Sequence, residues 1–166
     1  MPNPAIGPIR DEAQRIHESA IYCAQGQYEA AKSWRFTHWC LGVLATGLGV
    51  LGAILTFADV SQFAAGILTL LAAIVAAVMT GVRPDKLAER AQASGNDYTS
   101  LRNDARRFLN VELMMDSAPD ARERLNELAG QASELDHAAD PIPKWAYNRA
   151  KANINNGGQD FRVDHS

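Results

Sequence analysis

Charge is what the middle of this sequence lacks. From Phe36 to Val82 there is no Lys or Arg and one acidic residue, Asp59, whereas the flanking segments carry a charge at nearly every helical turn. Whole-chain figures of 47% hydrophobic and 21% charged residues sit near the soluble average and conceal this arrangement. Cysteine is scarce as well. Cys23 and Cys40 have no metal-ligand spacing, which excludes a disulfide framework and a zinc site and leaves them as small packing residues. No segment alternates as a strand does, so the expected fold class is all-α. The formal charge of −3 argues against a duplex nucleic-acid surface, while a small nucleotide or short oligonucleotide stays compatible.

The uncharged block divides into Trp39–Phe57 and Ala64–Val82. At roughly 1.5 Å per residue each is long enough, as a helix, for about 30 Å of hydrocarbon. A soluble buried hairpin would need a large apolar partner surface that the short, charged remainder does not supply. A cleaved signal would stand near the start, and here Asp11, Glu12, Glu18 and Glu29 come first, so the first span is expected to be retained. Lys32 and Arg35 precede the first span, Arg83 and Lys86 follow the second, and the loop Ala58–Gln62 holds no basic residue. Basic residues stay on the cytoplasmic side, so both termini are expected there. Trp34, Phe36, Trp39 and Phe63 fall at the two water boundaries, where amphipathic rings anchor a span. The resulting division is a cytoplasmic N-terminal helix (1–38), a hairpin (39–82), a cytoplasmic helical region (83–153) and a mobile tail (154–166).

Both spans have a small-residue stripe. Gly42, Ala45, Gly49, Gly52 and Thr56 share one face of the first, with Leu41, Leu44, Leu48, Leu51 and Leu55 one position earlier. Gly66, Thr69, Ala73, Ala76 and Thr80 share a face of the second, with Leu68, Leu71, Val75, Val78 and Val82 on another. Small residues let helix backbones approach closely in lipid, so these stripes are contact faces. They meet either within one copy or between copies. Two helices cannot enclose a pathway, so a conduit would need several copies about an axis; the expected assembly is a tetramer. With no charge in either span its lining would be apolar or hydroxyl, with Thr69, Leu70, Ala73, Ile74 and Thr80 as candidates, and such a constriction gates by dewetting.

Outside the spans, Ile9, Ala13, Ile16, Ala20, Cys23, Ala30 and Trp34 keep a heptad rhythm with Gln27 as its polar interruption; Gly26 weakens this helix and reads as a bend. Leu87, Ala91, Ser94, Tyr98, Leu101, Ala105, Phe108 and Met115 keep the same rhythm, broken at Glu112. Ser117, Pro119 and Asp120 start a further helix with the seam Leu125, Leu128, Ala132, Leu135; Asp140-Pro-Ile-Pro ends it, and Lys144–Ala152 forms a last short helix. Narrow seams of this kind build a bundle or coiled coil, closed within one copy or between neighbours.

No nucleophile stands beside a base, no carboxylates pair in an apolar setting, and no phosphate-cradling loop or cofactor motif is present, so the chain reads as a non-enzyme without cofactor or metal. His17, His38, His137 and His165 are scattered. Arg102, Arg106, Arg107, Arg122 and Arg124 could grip a phosphorylated ligand through forked hydrogen bonds. Asp97, Asp104, Glu112 and Glu123 stand close enough in sequence for ordinary surface pairing instead.

The layout resembles the SLATT family, two-span membrane effectors associated with nucleotidyltransferases and nucleotide sensors in bacterial conflict systems. The resemblance rests on Tyr28-Glu-Ala-Ala-Lys-Ser-Trp-Arg-Phe-Thr-His38, the very short loop, the basic exit Arg83-Pro-Asp-Lys86, the helix Tyr98-x-x-Leu101-x-x-x-Ala105-Arg and the segment Asp140-Pro-Ile-Pro-Lys-Trp-Ala146. It implies a homo-oligomeric effector in the bacterial inner membrane, silent until a nucleotide-derived signal or a nucleotidyltransferase partner opens a pore and arrests growth. A scaffold that recruits a soluble partner is the alternative. The family carries over no ligand residues.

Overall fold

The computed structural model describes residues 6–58, 61–115 and 117–158, and every described element is helical. α1 spans Ile6–Phe57, α2 Gln62–Val82 and α3 Pro84–Arg107; a π-helical turn, Phe108–Glu112, leads into α4 (Leu113–Met115); α5 spans Ala118–Ala138 and α6 Lys144–Asn155. Two of these helices are long and apolar enough to cross a membrane, α1 and the helix that begins at Gln62. The chain divides into two compact units, one of residues up to Ala30 together with those from Arg90 onward, the other Ala31–Glu89.

The first unit is the expected bundle. Ile9, Ala13 and Ala20 from α1, Tyr98, Leu101, Ala105 and Phe108 from α3 and its continuation, and Ala121 and Leu128 from α5 are buried together. Alanines dominate α1's share, which lets helix axes approach closely while larger residues opposite fill the space. Gly26 is no bend, since α1 runs unbroken through it. A Cβ there would stand 3.0 Å from Ile142 Cδ1, so glycine makes room for the Asp140–Pro143 strap that crosses α1. Gln27, although an interruption of the apolar rhythm, is buried and donates from Nε2 to the Asp140 carbonyl at 2.8 Å. That bond meets the cost of its burial.

The heptad on α3 does not continue to Met115, which is 81% exposed. The π turn inserts one residue into the ladder, so Leu109 and Leu113 take the buried positions that an unbroken α-helix would give Glu112. Glu112, half-buried, meets Arg124 Nε at 3.3 Å. Burying it without that partner would be costly, which is the physical reason the rhythm slips.

In the second unit Ser61 caps α2, accepting from Ala64 N at 3.3 Å; of the expected loop, Asp59 and Val60 lie outside the described residues. The exit from α2 is unusual. Arg83 has φ 50° and ψ 60°, the one non-glycine residue with positive φ among those described, and its N–H reaches the Met79 carbonyl at 3.0 Å. Pro84, fully buried, disfavours the α conformation in the residue before it and supplies the first position of α3, where a missing N–H is harmless. In the first unit α6 closes at Asn155 and Gly157 turns with φ 80°. Residues 159–166 of the expected tail lie outside the described residues.

Candidate functional site

The two spans meet on a mixed face rather than stripe to stripe. Cys40, Leu41, Gly42, Ala45, Leu48, Gly49, Gly52 and Leu55 are the less exposed positions of the first span, and Ala64, Ala65, Leu68, Ala72, Val75 and Met79 those of the second. Within each set one row steps by three and four, Leu41 to Leu55 and Ala65 to Met79, as in an antiparallel seam. Its tightest point is Gly52, where a Cβ would lie 2.8 Å from Thr69 Oγ1 and 3.3 Å from the Ala65 carbonyl oxygen. Gly42 marks the other end, 3.9 Å from Met79 Cε by the same measure.

The small stripe of the first span therefore lies largely in the seam, and that of the second flanks it. On the first span Gly42, Ala45 and Gly52 turn towards α2, whereas Thr56 is exposed and a Cβ at Gly49 would meet nothing within 4 Å. On the second span Thr69 touches Gly52, but Gly66, Ala73, Ala76 and Thr80 are exposed, a stripe roughly a quarter of a turn from the seam. Leu70 and Ile74 are exposed further round, at 62% and 51%. The hydroxyls of Thr56, Thr69 and Thr80 each donate at 2.9 Å to the carbonyl four residues back. Satisfied within their own helix, they can face an apolar surround or a neighbouring helix at little cost.

Sequence reasoning missed the outer side of the first span. There Thr46 and Gly47 leave a groove of about 540 Å³ bordered by His38, Trp39 and Val43, with Gly42 at its edge towards the seam. The signal was present in the paired glycines, but no apolar periodicity distinguishes an outer groove from an inner one.

In the bundle the five candidate arginines do not converge. Arg124 is held by Glu127 at 2.6 Å and Glu112 at 3.3 Å, and the Glu127 contact before all else lifts its pKa above the ordinary guanidinium value. Arg107 lies 3.7 Å from Asp104, and Arg102 Nη2 donates to Asn103 Oδ1 at 3.3 Å. Arg106 is exposed, and Arg122 borders a separate groove of about 470 Å³ with Ile9, Pro119 and Asn126. Four are thus spread along α3 and α5 in local pairs or on separate surfaces, and Arg124 serves the π turn.

The polar centre of the bundle is elsewhere. Tyr98 is buried and its hydroxyl donates to Asp136 Oδ1 at 2.7 Å. Burial first, then the carboxylate's hold on the proton, raises the phenol pKa well above its usual value. Burial also pushes the Cys23 thiol up, against a hydrogen bond to Ser19 that lowers it, so the thiol stays protonated and unreactive. Among the described residues no group of His, Cys, Asp and Glu has the arrangement of a metal site; His165 lies outside them. Comparison with known protein families, with curated proteins and with solved structures finds no match to this chain.

Proposed function

We propose that this chain is a multi-pass protein of the bacterial inner membrane, with both termini cytoplasmic, that assembles into an oligomeric ion conduit. The observation that supports this most directly is the open small face of α2. The hairpin closes on a different face, and Gly66, Ala73, Ala76 and Thr80 remain exposed. In lipid, where apolar burial drives nothing, such a face associates by close backbone approach, and a second copy of the same hairpin offers the matching surface. Large apolar side chains cover the remaining outward surface, among them Trp39, Val43, Ile54, Leu70 and Ile74, as a hydrocarbon surround requires.

The resemblance to SLATT effectors supplies the context: an antiphage effector, tetrameric in the simplest arrangement, whose bundle receives a nucleotide-derived signal or a nucleotidyltransferase partner and whose opening depolarises the cell. The absence of a recognisable catalytic motif in the sequence agrees with an effector rather than an enzyme. Ion flux from liposomes holding purified protein is the test. Protein that stays monomeric and passes no ions, with or without candidate nucleotides, refutes the proposal. If an apolar constriction is the gate, Ser or Asn at Leu70, Ala73 or Ile74 yields a leaky, toxic pore; unchanged growth on expression removes that assignment.

The scaffold reading is favoured by a different observation: Val111, Met114 and Met115 are 52%, 73% and 81% exposed. Flexible methionines suit a partner surface. Replacing both spans by an unrelated hairpin separates the readings, since a scaffold keeps its activity and a conduit loses it.

A further inference from the structure

The apolar seam of α5 runs Leu125, Leu128, Ala132, Leu135, and at Ala132 it is short of a branched side chain. Facing this point α1 presents Ala20 and Ser19, again small, while α3 contributes the polar Tyr98 where its rhythm otherwise carries apolar groups. The result is a half-enclosed cavity of about 210 Å³ at the junction of the three helices. Ile16, Ala20, Leu101 and Ala132 form its apolar wall.

The charge of the lining is one-sided. Arg15 Nη1 and Glu12 Oε2 lie 3.3 Å apart and offset each other. That leaves Asp136, an exposed carboxylate at the mouth. Tyr98 spends its single proton on Oδ1, and a carboxylate has about four lone-pair sites, so Asp136 has room to accept from a further donor. Tyr98 also fixes the carboxylate's position, because its own ring is held in the core. An anion placed here would face Asp136; a neutral apolar molecule would leave it without a second donor.

We propose that this cavity binds a small organic cation, a primary ammonium that donates to Asp136 and carries an apolar body of single-ring size against Ile16, Leu101 and Ala132. The volume sets the size, lying below the roughly 300–1,000 Å³ of pockets that hold drug-sized ligands. Because the site joins α1, α3 and α5, occupancy ties the three helices together, and it does so whether the spans conduct or only anchor.

The full chain in nanodiscs, titrated by calorimetry with phenethylamine, its neutral counterpart 2-phenylethanol and the anion 3-phenylpropionate, tests the proposal. Saturable binding of the amine, about five- to tenfold tighter than the alcohol and with no measurable binding of the anion, is the expected order. Asp136→Asn should bring amine and alcohol within about twofold of each other. Ala132→Leu should abolish binding while leaving the melting temperature at or above that of the parent, as a filled cavity does; if that variant misfolds, Ala132→Val carries the same test. Equal binding of all three probes, binding that survives filling at position 132, or no saturable binding of the amine overturns the proposal.

Discussion

Gly95→Ala should destabilise the protein although alanine is the better helix former, and the reasons can be weighed. Gly95 is buried within α3, and a Cβ there would stand 2.8, 2.9 and 3.2 Å from three atoms of the Tyr28 ring. The ring is stiff and pinned at its far end, where its hydroxyl contacts Asn96 Oδ1 and Thr99 Oγ1, each at 3.0 Å. Helix propensity favours the substitution by about 1 kcal/mol. Overpacking opposes it by about 1–3 kcal/mol, and displacing the ring breaks two hydrogen bonds worth about 1 kcal/mol each. The net loss is about 2–4 kcal/mol, a fall in melting temperature of about 4–16 °C for a chain of this size. Gly130→Ala is the control, because a Cβ there meets nothing within 4 Å of this exposed α5 position. Only the propensity term remains, so the melting temperature should rise by about 2–4 °C. Thermal melts of the purified full chain followed by near-ultraviolet circular dichroism read both. In a Tyr28→Ala background Gly95→Ala should turn stabilising, and if it still destabilises there the clash is not the cause.

Deleting Asn110 removes the residue that widens the π turn and returns Leu113 to an α-helical core position, so it should shift stability by no more than about 1 kcal/mol, whereas deleting Asn103 from regular α3 rotates every later residue and should prevent cooperative melting. Arg83→Gly should be neutral to stabilising, because the left-handed conformation costs a non-glycine residue about 1–2 kcal/mol while glycine adds unfolded-state entropy; Arg83→Val should lower the melting temperature, since a β-branched residue fits that region worst. The raised Tyr98 pKa makes its contribution complete below the unfolded value of about 10 and lost as pH climbs from there towards the folded value. Denaturation midpoints should therefore drop more steeply above pH 10 in the parent than in Tyr98→Phe, and parallel curves would contradict the assignment.

How much of this could be read in the residues depended on what kind of interaction set each position. The α1 rhythm from Ile9 to Ala30 held because one long helix with one apolar stripe has a single way to bury it. Gln27 broke the stripe in sequence and not in space: its partner, the Asp140 carbonyl, lies 113 positions away, beyond the reach of any local pattern. Gly26 looked like a weak point for the same reason, since Ile142 is what needs the space. On α3 the apolar rhythm pointed past Glu112, and the backbone added a residue per turn instead of burying a carboxylate, an outcome that periodicity alone cannot express. That two helices are long and apolar enough to cross a membrane was legible, yet their facing was not. The small stripes were expected to be the contact faces, but where every face of a helix is apolar the pattern does not single one out, and packing chose a blend in which Leu41 and Leu48 sit beside Ala45 and Gly52. The arginines were a count of charges without geometry, and the carboxylates that hold Arg124 come from two different elements.

The two spans also differ in how the chain enters and leaves them. α1 continues from Ile6 to Phe57 without a break in its helical ladder. The second span is connected to α3 through Arg83, a residue already held in a sparsely populated conformation and followed by a buried proline. A change of φ and ψ at that one position reorients α2 without breaking any hydrogen bond inside α2 or α3 beyond the cap to Met79. Under the conduit reading Arg83 is the joint at which α2, the span whose small face is open, turns. A rotation of about 100°, one residue's worth of helix, exchanges Gly66, Ala73, Ala76 and Thr80 for Leu70 and Ile74 at a fixed neighbour. The same hairpin can then offer either a close-packing surface or a bulky one, and Arg83→Gly, by freeing the joint, should change the open probability of single channels even where it leaves the melting temperature alone.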